Sequence, residues 1–501
     1  MALAALPSEI LHEIAHLVGN DVKNLRLVDQ FVHGAVDPIM WDVHPIILDL
    51  HGEHPALTMS MLDDLSHLRT ALKFRKLEIK SLDPWQWRTG EAPPDPEYKK
   101  EVIEARKRLP EILPRALSAL KGLKSVRWEL GWRDPEWCHS SVLESLGSLS
   151  LLDDFRVTVE TNRPLPFQHL RNGSLQTLVM RIEHTLADHK QFISALRTVL
   201  VYNPHIINLQ LHMSQPENEY LSFHNLFQDI PDGAVRLRSL LLSGWTVERT
   251  PRVWPRLELL HSLEFPSRWD DTHEALWKSL SSYPPQSIRH ITSALVCDGL
   301  LDFLQSISGL EVLELRYAGG NTDAESDRLA RRFYQDVFPR HRSTVRKLTI
   351  LPSFTGMWTI GLQNMEVLDG CQRLTHLTVG LDIAELKPGA NERDTVASLI
   401  PRVARLPQFS VLALTPVPSK KIRGIEYGAR RLLLLQYCQR KVEESVEMAF
   451  ISGVSTSRHP LRICISKTGA EKELAFVSTH DSEGSLKFHR IRVEPELSSR
   501  V

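Results

Sequence analysis

The residues with the clearest potential for chemistry are two histidines, His12 and His16, on a predicted helix near the start of the chain. With Glu13 they satisfy H-E-x-x-H, in which two imidazoles bind zinc and the glutamate is the general base of a metalloprotease. A catalytic zinc needs a third protein ligand, and the extended motif would place it where the chain has Val22. No strand precedes His12 to form a substrate cleft. The pattern therefore favours a polar helix face over a metal site.

The helix that carries these histidines is short and amphipathic. Pro7 suits its first turn, because the missing N–H would have no partner there, and Glu9 complements the positive end of the helix dipole. At about 100° per residue, one apolar arc consists of Ile10, Leu11, Ile14, Leu17 and Val18. A second apolar arc follows at Leu25, Val28, Phe31 and Val32. Helices this short bury little apolar surface alone, so we expect part of it to contact a partner.

In order, the opening Leu-Pro-x-Glu-Ile-Leu, a central Leu-Arg-Leu-Val and a late tryptophan resemble an F-box, a three-helix docking module. The resemblance implies that residues 1–50 bind the Skp-type adaptor of a cullin-RING (SCF) ubiquitin ligase core. The positions that it assigns to this contact are Leu6, Pro7, Ile10, Leu25, Val28 and Trp41. The chain departs from the pattern at Asp29-Gln30-Phe31, where many family members have a serine followed by a basic and an aromatic residue. The alternative is an ordinary helical cap.

The composition is that of an ordinary soluble globular protein. The 501 residues are 42% apolar and 24% charged, and the formal net charge of -1 gives no reason to expect nucleic-acid binding. No apolar run approaches the roughly 18 residues that span a membrane, and no basic presequence is evident. The five cysteines are far apart and form no C-x-x-C pair, which favours reduced thiols. We expect a cytoplasmic or nuclear protein that contacts no membrane.

Behind the first fifty residues, a frame of apolar-x-x-apolar-x-apolar residues recurs along the chain. The clear copies are Phe74/Leu77/Ile79, Leu123/Val126/Trp128, Leu152/Phe155/Val157, Leu175/Leu178/Met180, Ile206/Leu209/Leu211, Leu237/Leu240/Leu242, Leu260/Leu263/Phe265, Leu310/Leu313/Leu315, Val345/Leu348/Ile350, Leu374/Leu377/Val379 and Phe409/Leu412/Leu414. A degenerate copy begins at Ile288. The last two apolar positions alternate across a polar one, which predicts a short strand with one buried side.

This cadence is similar to a leucine-rich repeat, and the whole layout resembles the F-box/leucine-rich-repeat proteins that are numerous in fungi. We predict an α/β fold in which a three-helix F-box (1–50) precedes an irregular leucine-rich-repeat solenoid (51–416), with parallel strands on the concave side and helices on the convex side. A C-terminal cap (417–501) follows. The alternative is a set of unrelated buried strands in α/β domains.

Two segments depart from the repeat. Residues 81–114 contain prolines, two tryptophans and a charged helix, and we interpret them as a surface insertion. In the cap, we predict a helix over residues 429–448 and a strand at residues 461–465, with residues 485–493 pairing against that strand. A polar terminal cap would shield the last open edge of a solenoid.

The polar positions of the predicted strands are candidates for contacting a target. We select Arg127, Arg156, Arg181, His212, Trp245 and Arg316 as candidate target-binding residues, with Trp132 and Tyr317 also just beyond strand ends. The early strands carry more arginine, which would favour an acidic or phosphorylated segment. A mixed, solvated face is the alternative.

No catalytic motif supports an enzyme, since the chain lacks a glycine-rich phosphate loop, a G-x-S-x-G elbow and a kinase signature. We expect no catalytic residue, cofactor or metal. By resemblance, the chain is the substrate-recognition adaptor of an SCF ligase, with the Skp-type adaptor and cullin core as partners and an unknown protein as substrate. A ligase-independent repeat scaffold is the main alternative, and a zinc metalloprotease is the remote one.

Overall fold

A computed structural model of the chain describes residues 10–11, 13–14, 41–42, 44–51, 55–67, 69–84, 96–163, 165–183, 188–214, 221–231, 234–247, 253–266, 273–386, 394–420, 429–449, 461–465, 474–480 and 486–492. They fall into two compact units. The first comprises Met1–Ser239 with Thr250–Leu257, and the second comprises Leu240–Arg249 with Glu258–Val501.

Short strands alternate with helical connectors through both units. The strands are β1 (Ile46–Asp49), β2 (Lys76–Ser81), β3 (Ser125–Leu130), β4 (Asp154–Val159), β5 (Thr177–Ile182), β6 (Asn208–Met213), β7 (Leu221–Ser222), β8 (Ser239–Ser243), β9 (Trp245–Thr246), β10 (Ser262–Phe265), β11 (His290–Ser293), β12 (Val312–Ala318), β13 (Lys347–Pro352), β14 (His376–Asp382), β15 (Val411–Val417), β16 (Arg462–Ile465), β17 (Leu474–His480) and β18 (Leu486–Arg492). The helices are α1 (Pro55–His67), α2 (Pro96–Ala119), α3 (Glu136–Gly147), α4 (His189–Tyr202), α5 (Phe223–Leu226), α6 (Trp254–Leu257), α7 (His273–Ser282), α8 (Asp298–Ser306), α9 (Asp323–Arg332), α10 (Thr395–Ala404) and α11 (Ala429–Met448).

The repeat strands pair in parallel, in an order that follows the sequence within each unit. Strands β1 to β6 pair consecutively in the first unit, and β10 to β16 do so in the second. The middle apolar position of one frame lies directly beside that of the next, as in Leu77, Val126, Phe155, Leu178 and Leu209. All the predicted frames therefore mark real strands.

A recurrent backbone contact fixes this register. The carbonyl of Arg75, just before β2, accepts hydrogen bonds from the N–H groups of Lys124 (2.8 Å) and Ser125 (3.0 Å) in the next repeat. The carbonyls that accept the equivalent pair elsewhere are those of Lys124, Asp153, Gln176, Ile207, His261, Arg289, Glu311, Arg346 and Thr375. Because each repeat holds the next by two hydrogen bonds at the same point, a one-residue slip would break both.

The helical connectors pack on the buried side of the strands. Trp128 of β3 meets the ring of His139 in α3 at 6.3 Å between centroids, and Phe265 of β10 meets Trp277 of α7 at 5.3 Å. Each large apolar side chain buried in this layer contributes about 1.5 to 3 kcal/mol. The structure thus confirms the predicted α/β class, and both units have the strand–connector architecture of a leucine-rich-repeat solenoid.

The structure corrects two predicted boundaries. Strand β1 lies inside the segment 1–50 that we assigned to an F-box, yet it pairs in parallel with β2 and belongs to the repeats. At the other end, β16 lies inside the predicted cap but extends the parallel ladder from β15. The repeats therefore begin before residue 51 and continue beyond residue 416.

The predicted surface insertion at residues 81–114 is also corrected where the structure describes it. Helix α2 buries Val102, Leu109 and Ile112 and packs closely against α1. It is therefore an integral connector between β2 and β3, whose charged outer side conceals its apolar inner side. The paired tryptophans at positions 85 and 87 lie outside the described residues.

In the C-terminal region, the predicted helix coincides with α11 and the predicted strand with β16. The predicted pairing of residues 485–493 with that strand is wrong, because β17 lies between them. Strand β17 pairs antiparallel with β16 on one side and with β18 on the other.

Asn203 shows how buried polar groups join successive repeats. It follows α4 and is fully buried. Its side-chain nitrogen donates to the carbonyls of Leu170 (3.0 Å) and Val199 (2.9 Å), while its oxygen accepts from the N–H of Gly173 (3.0 Å). Gly173 has a φ of 72°, a left-handed conformation that favours glycine. One asparagine thus holds the turn before β5 against the turn before β6.

Replacing Asn203 with alanine leaves the carbonyl of Leu170 and the N–H of Gly173 unsatisfied. We expect Asn203→Ala to lower the free energy of unfolding by about 3 kcal/mol, as measured by urea denaturation followed by circular dichroism. The matched control is Asn208→Ala, which removes one contact with the Thr177 hydroxyl (3.1 Å) at a half-buried position and should cost less than about 1 kcal/mol. Equal losses in the two variants would contradict this assignment.

Candidate functional site

Two of the six residues assigned to adaptor docking, Ile10 and Trp41, are described. Ile10 is 41% exposed, whereas its neighbour Leu11 is only 2% exposed, so this helical segment has an inner and an outer side. Trp41 is half-buried and meets the ring of Phe74 edge-on, with 4.5 Å between centroids. The other four residues, Leu6, Pro7, Leu25 and Val28, lie outside the described residues.

In the first unit, the strands bring four of the candidate target-binding residues to one face. Arg127 of β3 and Arg156 of β4 occupy paired register positions. Arg181 of β5 likewise lies beside His212 of β6. Since alternate residues of a strand point to opposite sides, the buried frame residues force these four toward the side opposite the connectors. We call this surface the polar strand face.

Each arginine on the polar strand face has a carboxylate two residues away on its own strand or just beyond it. The nearest nitrogen–oxygen distances are 3.4 Å for Arg127–Glu129, 3.1 Å for Arg156–Asp154 and 3.9 Å for Arg181–Glu183. Residues two apart lie on the same side of a strand, which explains the pairing. An acidic or phosphorylated target would therefore compete with three built-in carboxylates. These half-exposed pairs contribute little stability because solvent screens them.

His212 gives the polar strand face a neutral histidine. Burial of its ring, and then the nearby Arg181 guanidinium, lower the pKa of His212 below its usual value. Its Nδ1 atom has no hydrogen-bond partner among the described residues. The lowered pKa favours the uncharged ring at neutral pH, and the unpartnered Nδ1 atom is buried, out of reach of a binding partner.

The assignment of Trp245 to target binding is wrong. Its side chain has 0% exposure, so no target can reach it. By contrast, Trp132, just beyond the end of β3, is 59% exposed, and Tyr317, which lies within β12 and not beyond it as predicted, is 42% exposed. Position relative to a strand end does not decide whether an aromatic side chain turns inward, because that depends on the space left by the neighbouring repeat.

In the second unit, Arg316 of β12 is one of two cations that contact the buried carboxylate of Glu314. Glu314 is only 7% exposed, and its oxygens lie 3.0 Å from Arg316 Nη2 and 2.7 Å from Lys347 Nζ on the next strand. Burial opposes ionisation of Glu314, but the two cations outweigh it and hold the pKa of Glu314 below its usual value. Sequence reasoning missed Lys347, whose partner becomes visible only through strand pairing.

The described residues contain no candidate metal site, no disulfide and no helix suited to crossing a membrane. His12 and His16 lie outside them, and within them no three His, Cys, Asp or Glu side chains come together as a possible metal site. All five cysteines are free thiols, and all except the half-buried Cys297 are buried. None of the described helices combines the length and apolar character that a membrane crossing requires.

Removing the carboxylate of Glu314 leaves Lys347 and Arg316 facing each other. We expect Glu314→Gln to lower the free energy of unfolding at pH 7 by about 2 kcal/mol. Because the folded-state pKa of Glu314 is lowered, its contribution is full above the unfolded-state pKa and is lost as the pH falls through the folded-state pKa. The difference between wild type and variant should therefore shrink on acidification.

Urea denaturation at pH 7 and at about pH 3.5, below the ordinary pKa of a glutamate side chain, measures the difference in unfolding free energy between wild type and variant. Glu264→Gln is the matched control, since Glu264 lies two strands away on the same register row and makes no ion pair shorter than 4.0 Å among the described residues. A loss for Glu314→Gln that does not change with pH would argue against the charge interaction.

No family model matches the chain. Among curated proteins, none is significantly similar to it. Among solved structures, the chain is similar to the crystal structure of the Rad7 and Elc1 complex in yeast, at 12% sequence identity and a TM-score of 0.38, covering 81% of this chain and 87% of that chain. It is also similar to a leucine-rich-repeat protein of Leptospira interrogans, at 12% identity and a TM-score of 0.27, covering 61% of this chain and 75% of that chain.

Proposed function

We propose that this protein is the substrate-recognition adaptor of an SCF-type ubiquitin ligase. In this proposal the N-terminal helices bind a Skp-type adaptor, which links the chain to the cullin core, and the repeats bind a protein target. The protein itself carries out no catalysis and acts in the cytoplasm or nucleus. Residues Leu6, Pro7, Ile10, Leu25, Val28 and Trp41 form the adaptor contact.

The observation that carries the proposal is the exposure of Ile10. The Ile10 side chain is 41% exposed, whereas its neighbour Leu11 is buried. Covering Ile10 with a partner would be favourable, because this would remove apolar surface from water. Ile10 stands at a position that the F-box resemblance assigns to docking.

The attachment of this segment to the repeats also supports the proposal. Trp41 packs on Phe74, and Asp42 lies 3.9 Å from Arg75, the residue whose carbonyl anchors the next repeat. A ligase adaptor must hold its target at a fixed distance from the catalytic partner, and a flexible tether would not. The contacts of Trp41 and Asp42 with the first repeat are consistent with such a connection.

Replacing Leu6, Pro7 and Ile10 together with alanine removes three proposed anchors. Since each contributes about 1 kcal/mol or more, we expect the triple variant to bind the Skp-type adaptor with a dissociation constant raised by about a hundredfold. Titration calorimetry or a quantitative pull-down with the purified adaptor measures this change.

The matched control is Leu57→Ala, because Leu57 is also an exposed apolar side chain but lies on α1, outside the proposed contact. It should bind the adaptor as the wild type does. A deletion used as a further control should end before β1, since removing residues 46–49 would also damage the parallel sheet. Unchanged binding by the triple variant would reject this docking surface, and absence of binding by the wild type would leave the ligase-independent scaffold.

A further inference from the structure

The loop that joins β3 to α3 presents an exposed aromatic side chain together with an exposed cation. This loop, residues 131–135, is called here the Trp132 loop. The guanidinium carbon of Arg133 lies 4.5 Å from the centre of the Trp132 ring. The Trp132 side chain is exposed over more than half of its surface. Covering it with a partner would be favourable, because this would remove a large aromatic surface from water.

A buried carboxylate holds the Trp132 loop in place. Asp134 is almost fully buried, and its two oxygens accept hydrogen bonds from the N–H of Gly131 (3.0 Å) and the N–H of Leu82 (2.9 Å). Gly131 belongs to the loop itself, whereas Leu82 follows β2 in the preceding repeat. The backbone N–H of Asp134 also donates to the carbonyl of Gly131 (3.2 Å). The loop is thus fixed to two repeats and pays little conformational entropy when a partner binds.

Within the described part of the chain, no carboxylate neutralises the charge of Arg133. Among the described residues it forms no ion pair and no side-chain hydrogen bond, unlike the arginines of the polar strand face, each of which has its own carboxylate. A guanidinium that stacks on an aromatic ring keeps its in-plane N–H groups free, and their geometry matches the two oxygens of a carboxylate. Tryptophan and arginine are also the residues that contribute most often to the centre of protein interfaces.

We propose that the Trp132 loop is an anchor of the target-binding surface and binds an extended segment of a protein target in which an Asp or Glu side chain lies next to an apolar one. The carboxylate pairs with Arg133, and the apolar side chain packs on the Trp132 ring. This inference deepens the proposed function and rests on it for the identity of the ligand as a target. It places the acidic preference at the loop and not on the arginines of the strands, which are already paired.

The test uses the full chain and three fluorescein-labelled 12-residue peptides of glycine and serine. The first contains a central Phe-Glu pair and ends in an amide, the second has Phe-Gln instead and also ends in an amide, and the third has Phe-Gln and a free terminal carboxylate. Fluorescence anisotropy should show binding of the first peptide at least tenfold tighter than binding of the other two. If the second peptide bound as tightly as the first, the proposal would be overturned. If the third peptide bound as tightly as the first or more tightly, the choice of an internal acidic side chain would be overturned.

Variants then locate the site. Trp132→Ala and Arg133→Gln should each weaken binding of the first peptide at least fivefold, and Arg133→Gln should abolish the preference over the second peptide. The control is the pair Tyr202→Ala and Arg171→Gln, since Arg171 also stacks on an exposed aromatic ring at 4.4 Å, but its Nε donates to the Gln168 carbonyl (2.5 Å). These control variants should bind as the wild type does, and a loss in them equal to that at the Trp132 loop would overturn the proposal.

Capture of the Skp-type adaptor separates this inference from the proposed function. Trp132→Ala and Arg133→Gln should capture the adaptor as the wild type does, because they lie outside the docking segment. If the wild type fails to capture the adaptor, the ligase role falls while the peptide result stands. If adaptor capture succeeds but the peptides show no preference, the anchor falls alone.

Discussion

The structure depends on one constraint, which is that a short strand with one apolar side can bury that side only against helices and beside another strand of the same kind. Each repeat meets this constraint by aligning its central frame residue with that of the next, as in Leu348, Leu377 and Leu412. The pair of hydrogen bonds to the carbonyl before each strand repeats this alignment in the backbone. Irregular connector lengths are tolerated because neither contact depends on the length of the connector.

The same constraint creates the surface on which function can be built. Burial of alternate residues leaves the remaining ones on a face of parallel rows, where neighbouring strands set side chains side by side. The three arginines of the early strands pair with carboxylates of their own segments, whereas Glu314 is held by cations from two strands. The Trp132 loop differs from both, because its buried carboxylate accepts hydrogen bonds from the backbone and its cation, Arg133, has no carboxylate partner among the described residues.

Sequence reasoning succeeded where the pattern was local and failed where the signal was spread over two repeats. The frames and helix α11 follow from periodicity within a few residues, and both are present. Strand β1 was missed because its run of Ile46, Ile47 and Leu48 lacks the polar spacers of the frame. The charged outer side of helix α2 predicts a surface insertion, but the inner side of this helix packs on α1, which the sequence does not reveal. The position of Trp245 near a strand end predicts exposure, but its side chain is buried, because its neighbours in space cannot be derived from its neighbours in sequence.

The amino-acid pattern alone specifies the repeated strand, the side of each strand that is buried and the residues available on the opposite side, since alternation along a strand is a property of the backbone. Where the repeats begin and end, which aromatic side chains face outward and which charges are neutralised depend on the packing of one repeat against the next. These outcomes depend on contacts between residues such as Glu314 and Lys347, which lie far apart in the chain and meet only when adjacent repeats pair. Physical proximity of that kind is set by the register of the strands and by the space between connectors.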